Sequence, residues 1–321
     1  MLSLALQGGG SFGAFTWGVL DRLLEEDGIV FDAISGTSAG AVNAVVLAAG
    51  LAEGGREAAR ERLERVWRRI SGVAAFAPFG SGSPFYAGLP AVASAAFHLS
   101  TRFFSPYQFN PLGLNPLRDI LAKEVDFDRL RAAAPVRLLI AATRVHDGHL
   151  RIFGDGEVTL DAVMASTCLP MLHHAISIDD EWYWDGGYVA NPPLMHLAAT
   201  SEAADIVLVQ ITPSEYEGRP MLHSQIVKRL QQIALNGPLL KEIEALLTLK
   251  ELSEREGLFS SHFRRKLRRL RLHQIAAEDT FEGLAQANAL SLDWSLLTQL
   301  RDSGRAAADA WLATRETREV A

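Results

Sequence analysis

Gly36-Thr37-Ser38-Ala39-Gly40 lies between a short apolar run, Phe31 to Ser35 (FDAIS), and an alanine-rich run, Ala39 to Ala52 (AGAVNAVVLAAGLA). The first run has the length and composition of a buried strand and the second those of an apolar helix, so Ser38 falls at a strand-to-helix turn. A G-x-S-x-G sequence in that setting is the pattern of a nucleophile elbow. The turn is sharp enough that side chains beside the serine would strike the neighbouring strand and helix, which accounts for Gly36 and Gly40. The same five residues also read as a helix N-terminus capped by Thr37 or Ser38. Other parts of the chain must decide between the two.

Upstream, Leu2 to Leu6 (LSLAL) predicts a buried strand, followed by Gln7-Gly8-Gly9-Gly10-Ser11-Phe12-Gly13 and a helix with Phe15, Val19, Leu20, Leu23 and Leu24 on one face. Gly8, Gly10 and Gly13 satisfy the dinucleotide fingerprint G-x-G-x-x-G, with Asp32 about where an acidic ribose partner belongs. Against that reading, Asp32 precedes the core of the second strand instead of closing it, and an elbow at that strand's tip leaves no place for a ribose. The alternative use of residues without side chains is an oxyanion hole, in which backbone N–H groups point at a developing negative oxygen. Neighbouring first and second strands would bring Gly8, Gly9 and Gly10 beside Ser38.

Downstream, Asp185-Gly186-Gly187 places an aspartate at the end of a strand-like stretch, Ile176 to Trp184, that has an acidic turn at its centre. Asp-Gly turns are common. This one stands out because it joins two other glycine motifs at the C-terminal ends of expected strands, where open α/β sheets collect their functional groups. Further strands are expected over Val136 to Thr143, Leu150 to Phe153 and Asp205 to Ile211, and Leu270 to Ile275 reads as a final one. Helices are expected over Arg56 to Arg69, from the Asn115-Pro116 start, over Thr159 to Ser166, after Asn191-Pro192-Pro193-Leu194, and over Ser224 to Leu235, Leu239 to Leu252 and Trp294 to Leu312. His146 and His149 flank an Asp-Gly turn and lack acidic or cysteine partners at ligand spacing, so they read as solvated turn residues and no metal site is expected.

The 321 residues carry a net charge of −7, which argues against nucleic acid as the main partner. The dense basic run, from Arg264 to Arg271, reads as a solvated rim or as a face for anionic lipid head groups. A single cysteine, Cys168, excludes an internal disulfide. No basic leader precedes the first apolar run and no window offers 18 consecutive apolar residues, so a cytoplasmic protein is expected. From Gly72 to Thr101 there is no Asp, Glu, Lys or Arg, and the stretch is rich in Gly, Pro, Ser, Ala and Phe. It reads either as a loop tucked against the core or as an apolar cap over an acyl pocket, with Phe76, Phe79, Phe85 and Phe97 available to acyl chains or a bilayer surface.

Gly8-Gly9-Gly10-Ser11-Phe12-Gly13, Gly36-Thr37-Ser38-Ala39-Gly40 and Asp185-Gly186-Gly187, in that order, resemble the patatin-like phospholipase family, bacterial branch, and the agreement runs through Ala165-Ser166, Pro170 and Asn191 to Leu194. The resemblance covers about residues 2 to 211. It implies a three-layer α/β/α sandwich with a largely parallel central sheet and lipid acyl hydrolysis by a Ser–Asp dyad without histidine or cofactor. Ser38 would be the nucleophile, Asp185 its base, Gly8, Gly9 and Gly10 the oxyanion hole, and Gly13, Gly36, Gly40, Gly186 and Gly187 supporting positions. Residues 1 to 321 would form one hydrolase domain, with 72 to 115 as a cap and 212 to 321 as a mainly helical extension. The partner would be a lipid or acyl ester, with peripheral contact at a membrane surface. One departure is Phe12, where the family commonly has a basic or polar residue, which leaves the hole to backbone donors. Two alternatives stand beside this reading: an α/β-hydrolase triad completed by His196 or His223, and a lipid-binding relative without activity.

Overall fold

A computed structural model describes residues 1–74, 105–213, 218–255, 262–277 and 291–319. Most of the segment expected to form a cap, residues 75–104, therefore lies outside the described residues, as do its four phenylalanines. The framework is an eight-stranded sheet in the order β5-β6-β3-β2-β1-β7-β8, with β4 paired to β3. The strands are β1 (Leu2–Leu6), β2 (Phe31–Gly36), β3 (Arg137–Arg144), β4 (Leu150–Gly154), β5 (Ile176–Ile178), β6 (Glu181–Asp185), β7 (Asp205–Gln210) and β8 (Arg271–Ala276). β3, β2, β1, β7 and β8 are mutually parallel, whereas β4, β5 and β6 make antiparallel pairs.

Strand periodicity divides the interior into two cores. Leu2, Leu4, Leu6, Ile34, Leu138, Ile140, Val207 and Val209 face one side, while Ala5, Ala33, Leu139, Ile206 and Leu208 face the other. Both faces are covered by helices, as parallel strands require. On the first face lie α1 (Gly13–Leu23), α2 (Ala39–Ala74) and the C-terminal helix Trp294–Glu319, whose inward residues join that core. On the second lie Leu194–Thr200, His223–Arg255 and His262–Arg269, through Leu194, Leu197, Leu239, Leu246 and Leu267. The result is the expected α/β/α arrangement with a largely parallel sheet.

Local chemistry explains most boundaries. Asn115 caps Pro116–Glu124 by accepting from Leu117 N, and Thr159 caps Leu160–Ser166 by accepting from Ala162 N. Asp179 and Asp180, at φ 51° and 63°, make the turn between β5 and β6, where short polar side chains tolerate the left-handed region. α2 has two limbs joined at Gly54-Gly55, whose backbone is not helical. The second limb is less solvated than its charge suggests: Leu63, Val66 and Trp67 are buried, and Trp67 Nε1 donates to Asn43 Oδ1 at 3.0 Å. α1 and the C-terminal helix cross closely, since a Cβ on Gly18 would fall 1.9 Å from Arg301 O and one on Gly304 would fall 2.1 Å from Phe15 O.

One expectation is corrected. The two helices expected on either side of Gly237-Pro238 form a single helix, His223–Arg255. Proline removes one ladder hydrogen bond, but this turn is anchored from outside. Asn191 Nδ2 donates to Leu235 O at 3.2 Å, Gln7 Nε2 donates to Asn236 Oδ1 at 2.8 Å, and Leu239 and Leu246 are buried against the sheet. The basic run forms His262–Arg269 and leads into β8, so the C-terminal third contributes the sheet's edge strand as well as helices.

Candidate active site

Parallel pairing of β1 with β2 sets Leu6 opposite Gly36, so the loops after both strands open at the same end of the sheet. Ser38 occupies the turn between β2 and α2 with φ 53°, a left-handed conformation that an ordinary side chain adopts only under constraint. The constraint is visible. Ser38 N donates to Ser166 Oγ at 3.0 Å, Thr37 Oγ1 donates to Ala190 O at 2.9 Å, and Val42 N donates to Ser38 O at 3.1 Å. Gly40 is required because a Cβ there would sit 2.1 Å from Leu6 O.

Asp185 arrives from another direction. β2 and β6 occupy the same edge of β3, because Ile140 pairs with Gly36 and Phe153 on its two sides while Ala142 pairs with Asp185 and Arg151. β6 runs antiparallel to β3, so its last residue comes back towards the tip of β2. Asp185 is thereby set just beyond Gly36. Its backbone is fixed on both sides, N–H to Cys168 O at 2.8 Å and C=O to Thr143 Oγ1 at 2.7 Å. The side chain is 3% exposed, with Oδ1 accepting from Gly187 N at 2.8 Å. The Ser38 hydroxyl is near enough to stabilise the carboxylate charge, yet it makes no well-formed hydrogen bond, so Oδ2 is a buried oxygen without a partner among the described residues. Burial outweighs both stabilising contacts and pushes the Asp185 carboxyl up to about 6. Burial and the neighbouring Asp185 charge together push the Cys168 thiol up to about 12, so the cysteine acts as packing.

The glycine loop after β1 completes the cluster. Gly8 N donates to Asn191 Oδ1 at 2.7 Å, which commits that N–H, whereas the N–H groups of Gly9 and Gly10 have no acceptor among the described residues. Gln7 secures the loop from below: its Oε1 accepts from Ile211 N and Thr212 N, each at 2.8 Å, and its amide reaches Asn236. Phe12 is half-buried against the core. Gly13 lies close to Ala39, 2.7 Å from its Cβ if a side chain were added. Gln7, Ser166 and Asn191 are the positioning side chains that sequence reasoning missed as such. Ser166 and Asn191 were visible in motifs, and Gln7 was marked only by its place before Gly8.

Other candidates lie elsewhere. Asp32 pairs with Arg137 and accepts from Ser201 Oγ, Glu202 N and Ala203 N at the opposite end of β2 from Ser38, so it does not face the glycine loop. His196 and His223 are exposed, and among the described residues no histidine hydrogen-bonds Ser38 or Asp185. His149 lies in an exposed turn, 3.3 Å from Asp147, and no group of three or more His, Cys, Asp or Glu among the described residues is placed to hold a metal ion.

Among solved structures, the chain resembles VipD from Legionella pneumophila at 16% identity, with 94% of this chain and 67% of that one covered and a TM-score of 0.39. It also resembles the heterodimeric complex ExoU-SpcU from the type III secretion system of Pseudomonas aeruginosa at 17% identity, with 89% and 59% covered and a TM-score of 0.35. The chain thus spans about three fifths to two thirds of the length of these neighbours. No curated protein matches it. The model of the patatin-like phospholipase family matches residues 4–198, a span that includes the glycine loop, the Ser38 turn and the Asp185 turn, and the chain belongs to that family.

Proposed function

We propose that this protein is a lipid acyl hydrolase that works through a Ser38–Asp185 dyad and an acyl-enzyme. The observation that carries the reading is a serine held at φ 53° beside a buried carboxylate oxygen that has no hydrogen-bond partner among the described residues. Asp185, with its carboxyl pushed up to about 6, is ionised near neutrality but basic enough to take a proton. It accepts the Ser38 hydroxyl proton as Oγ attacks the ester carbonyl. The resulting oxyanion is met by the open N–H groups of Gly9 and Gly10, while Gly8, tied to Asn191, anchors the loop. Collapse of the tetrahedral intermediate breaks the ester C–O bond, and Asp185 returns its proton to the leaving oxygen. Water then gives a proton to Asp185 and attacks the acyl-Ser38 carbonyl, and a second collapse releases the fatty acid and restores the hydroxyl.

A lipid surface is the medium we propose for this chemistry. The long helix His223–Arg255 touches the site at Leu235, whose Cδ2 would lie 3.3 Å from a Cβ on Gly187. Leu222, Ile226, Leu230 and Ile233, spaced along the preceding turns, are all exposed, Leu230 by 61%. Such a stripe beside the site suits contact with acyl chains, each buried aliphatic side chain contributing roughly 1.5–3 kcal/mol. No helix among the described residues is long and apolar enough to cross a membrane. The test is labelling by a fluorophosphonate together with turnover of a p-nitrophenyl ester. Wild type should do both and Ser38→Ala neither. Retained turnover in Ser38→Ala refutes the dyad, and a histidine variant as inactive as Ser38→Ala replaces it with a triad.

A further inference from the structure

The long helix His223–Arg255 has a weak turn at Gly237-Pro238. Proline brings no N–H, so Ala234 O loses its ladder donor, and glycine is the poorest helix former after proline. The two sides of this turn are held by different parts of the molecule. Beyond it, Leu239 and Leu246 are buried in the second core, and Glu242 Oε2 accepts from Met195 N at 2.7 Å. Before it, the contacts go to the loops of the candidate site. Leu235 O accepts from Asn191 Nδ2, Asn236 Oδ1 accepts from Gln7 Nε2, and Asn236 Nδ2 donates to Pro213 O at 2.7 Å, just past β7. Both bridges to the glycine loop end at Gly8, since Asn191 also accepts the Gly8 N–H and Gln7 precedes Gly8 in the chain.

The same limb carries the exposed aliphatic stripe. Leu222, Ile226, Leu230 and Ile233 follow one another by four, four and three residues, so they share one face. At 1.5 Å per residue the stripe runs for about 16 Å. Its place decides its occupant: the family acts on lipids, which present themselves as aggregated apolar surfaces, and the stripe leads away from Leu235 at the Asp185 turn. Because the bridging residues lie on the stripe's side of the weak turn, whatever fixes the stripe reaches the glycine loop before it reaches the sheet.

We propose that a lipid surface activates this protein as well as supplying its substrate. Bound along the stripe, it fixes the limb 223–236, and through Asn191 and the Asn236–Gln7 pair it fixes the Gly9 and Gly10 N–H donors. The consequence for catalysis rests on the reading of that loop as an oxyanion hole; the mechanical coupling does not. The Ser38 turn is tied to Ser166 and to Ala190 O instead, and should respond less.

The experiment is hydrogen–deuterium exchange of the full chain with and without vesicles of ether-linked phosphatidylcholine, which carry no acyl ester. In wild type the 222–236 peptide should gain protection and the 7–13 peptide should exchange at least about threefold more slowly, with a smaller change across 36–42. Asn236→Ala, its fold checked by thermal melts, should keep the helix protection and lose the effect on the loop. Leu230→Ser with Ile233→Ser, at exposed positions, should lose both together. In parallel, saturating vesicles should raise wild-type kcat on p-nitrophenyl butyrate about three- to tenfold with KM nearly unchanged, and should not do so in Asn236→Ala. Failure of the helix to gain protection, protection without a slower loop, equal slowing around Ser38, or full stimulation in Asn236→Ala overturns the coupling. Absence of ester turnover under every condition, with the exchange pattern as expected, refutes the hydrolase reading and leaves the coupling supported.

Discussion

Asp185→Asn should make the protein more stable and less active at the same time. The Asp185 carboxyl is raised from an ordinary 3.8 to about 6 because burial penalises its charge more than the Gly187 N–H and the Ser38 hydroxyl favour it. A group raised on folding binds its proton more tightly in the native state, so the stability it contributes is complete below about pH 4 and lost as pH rises through about 6. At 1.36 kcal/mol per unit, the loss is about 3 kcal/mol at pH 8. Asparagine keeps the shape and the acceptor for Gly187 N–H, presents an N–H₂ to the Ser38 oxygen, and carries no charge to be penalised. The variant should therefore match wild type near pH 3.5 and exceed it by up to about 3 kcal/mol at pH 8. For 321 residues, at roughly 2 cal/mol/K per residue, that gap is about 5 °C in Tm. Scanning calorimetry of both proteins from pH 3.5 to 8 measures the difference, in which the titration of other groups cancels. Activity on a soluble ester should fall on the order of 10²-fold or more. A variant less stable than wild type at pH 8, or a gap that does not change with pH, refutes the claim that Asp185 is held charged against its burial.

The acylation rate of wild type should rise with pH and level off above about 6, because only ionised Asp185 accepts the serine proton; a flat single-turnover profile from pH 5 to 8 contradicts this. Gly186→Ala should destabilise by about 3 kcal/mol in urea unfolding, since its Cβ would lie 2.3 Å from Ala141 O in a packed strand. Asn191→Ala leaves the Gly8 N–H without its side-chain acceptor and loosens the loop, so kcat should drop about 10- to 100-fold with KM nearly unchanged; a change confined to KM would place Asn191 in substrate binding instead. Leu230→Ser with Ile233→Ser should weaken sedimentation with phospholipid vesicles by at least about tenfold while sparing a short soluble ester, and equal loss on both would assign the stripe to folding.

Much of the fold was legible because central parallel strands are buried on both faces and read as near-continuous apolar runs. LSLAL, VRLLIAAT and DIVLVQI each led to a strand within a residue or so of its observed bounds. Ser3 and Ser35 did not spoil the pattern, and Ser3 shows why a buried serine can be tolerated in a strand: its Oγ lies 2.7 Å from Ser201 Oγ and accepts from Ala33 N. The failure at Gly237-Pro238 has the opposite origin. Local propensity there predicts a break, and the helix continues because groups remote in sequence hold it.

The site divides along the same line. Its glycines were readable since each marks a demand of the local backbone, and the serine and aspartate were readable because those glycines flank them. The groups that orient the loops were not readable as such, because their partners are distant in the chain: 128 residues separate Ser38 from Ser166, 183 separate Gly8 from Asn191, and 229 separate Gln7 from Asn236. No periodicity reports such a contact. Those last two bridges also meet at one place, since Asn191 reaches Leu235 O while Gln7 reaches the side chain of Asn236. Adjacent residues of the long helix thus support the glycine loop through two buried amides, just beyond the exposed aliphatic stripe. In the proposed reaction a displacement of that helix would be felt at the donors of the oxyanion hole before it reached Ser38, whose turn is secured separately by Thr37, Ser166 and the close approach of Gly40 to Leu6.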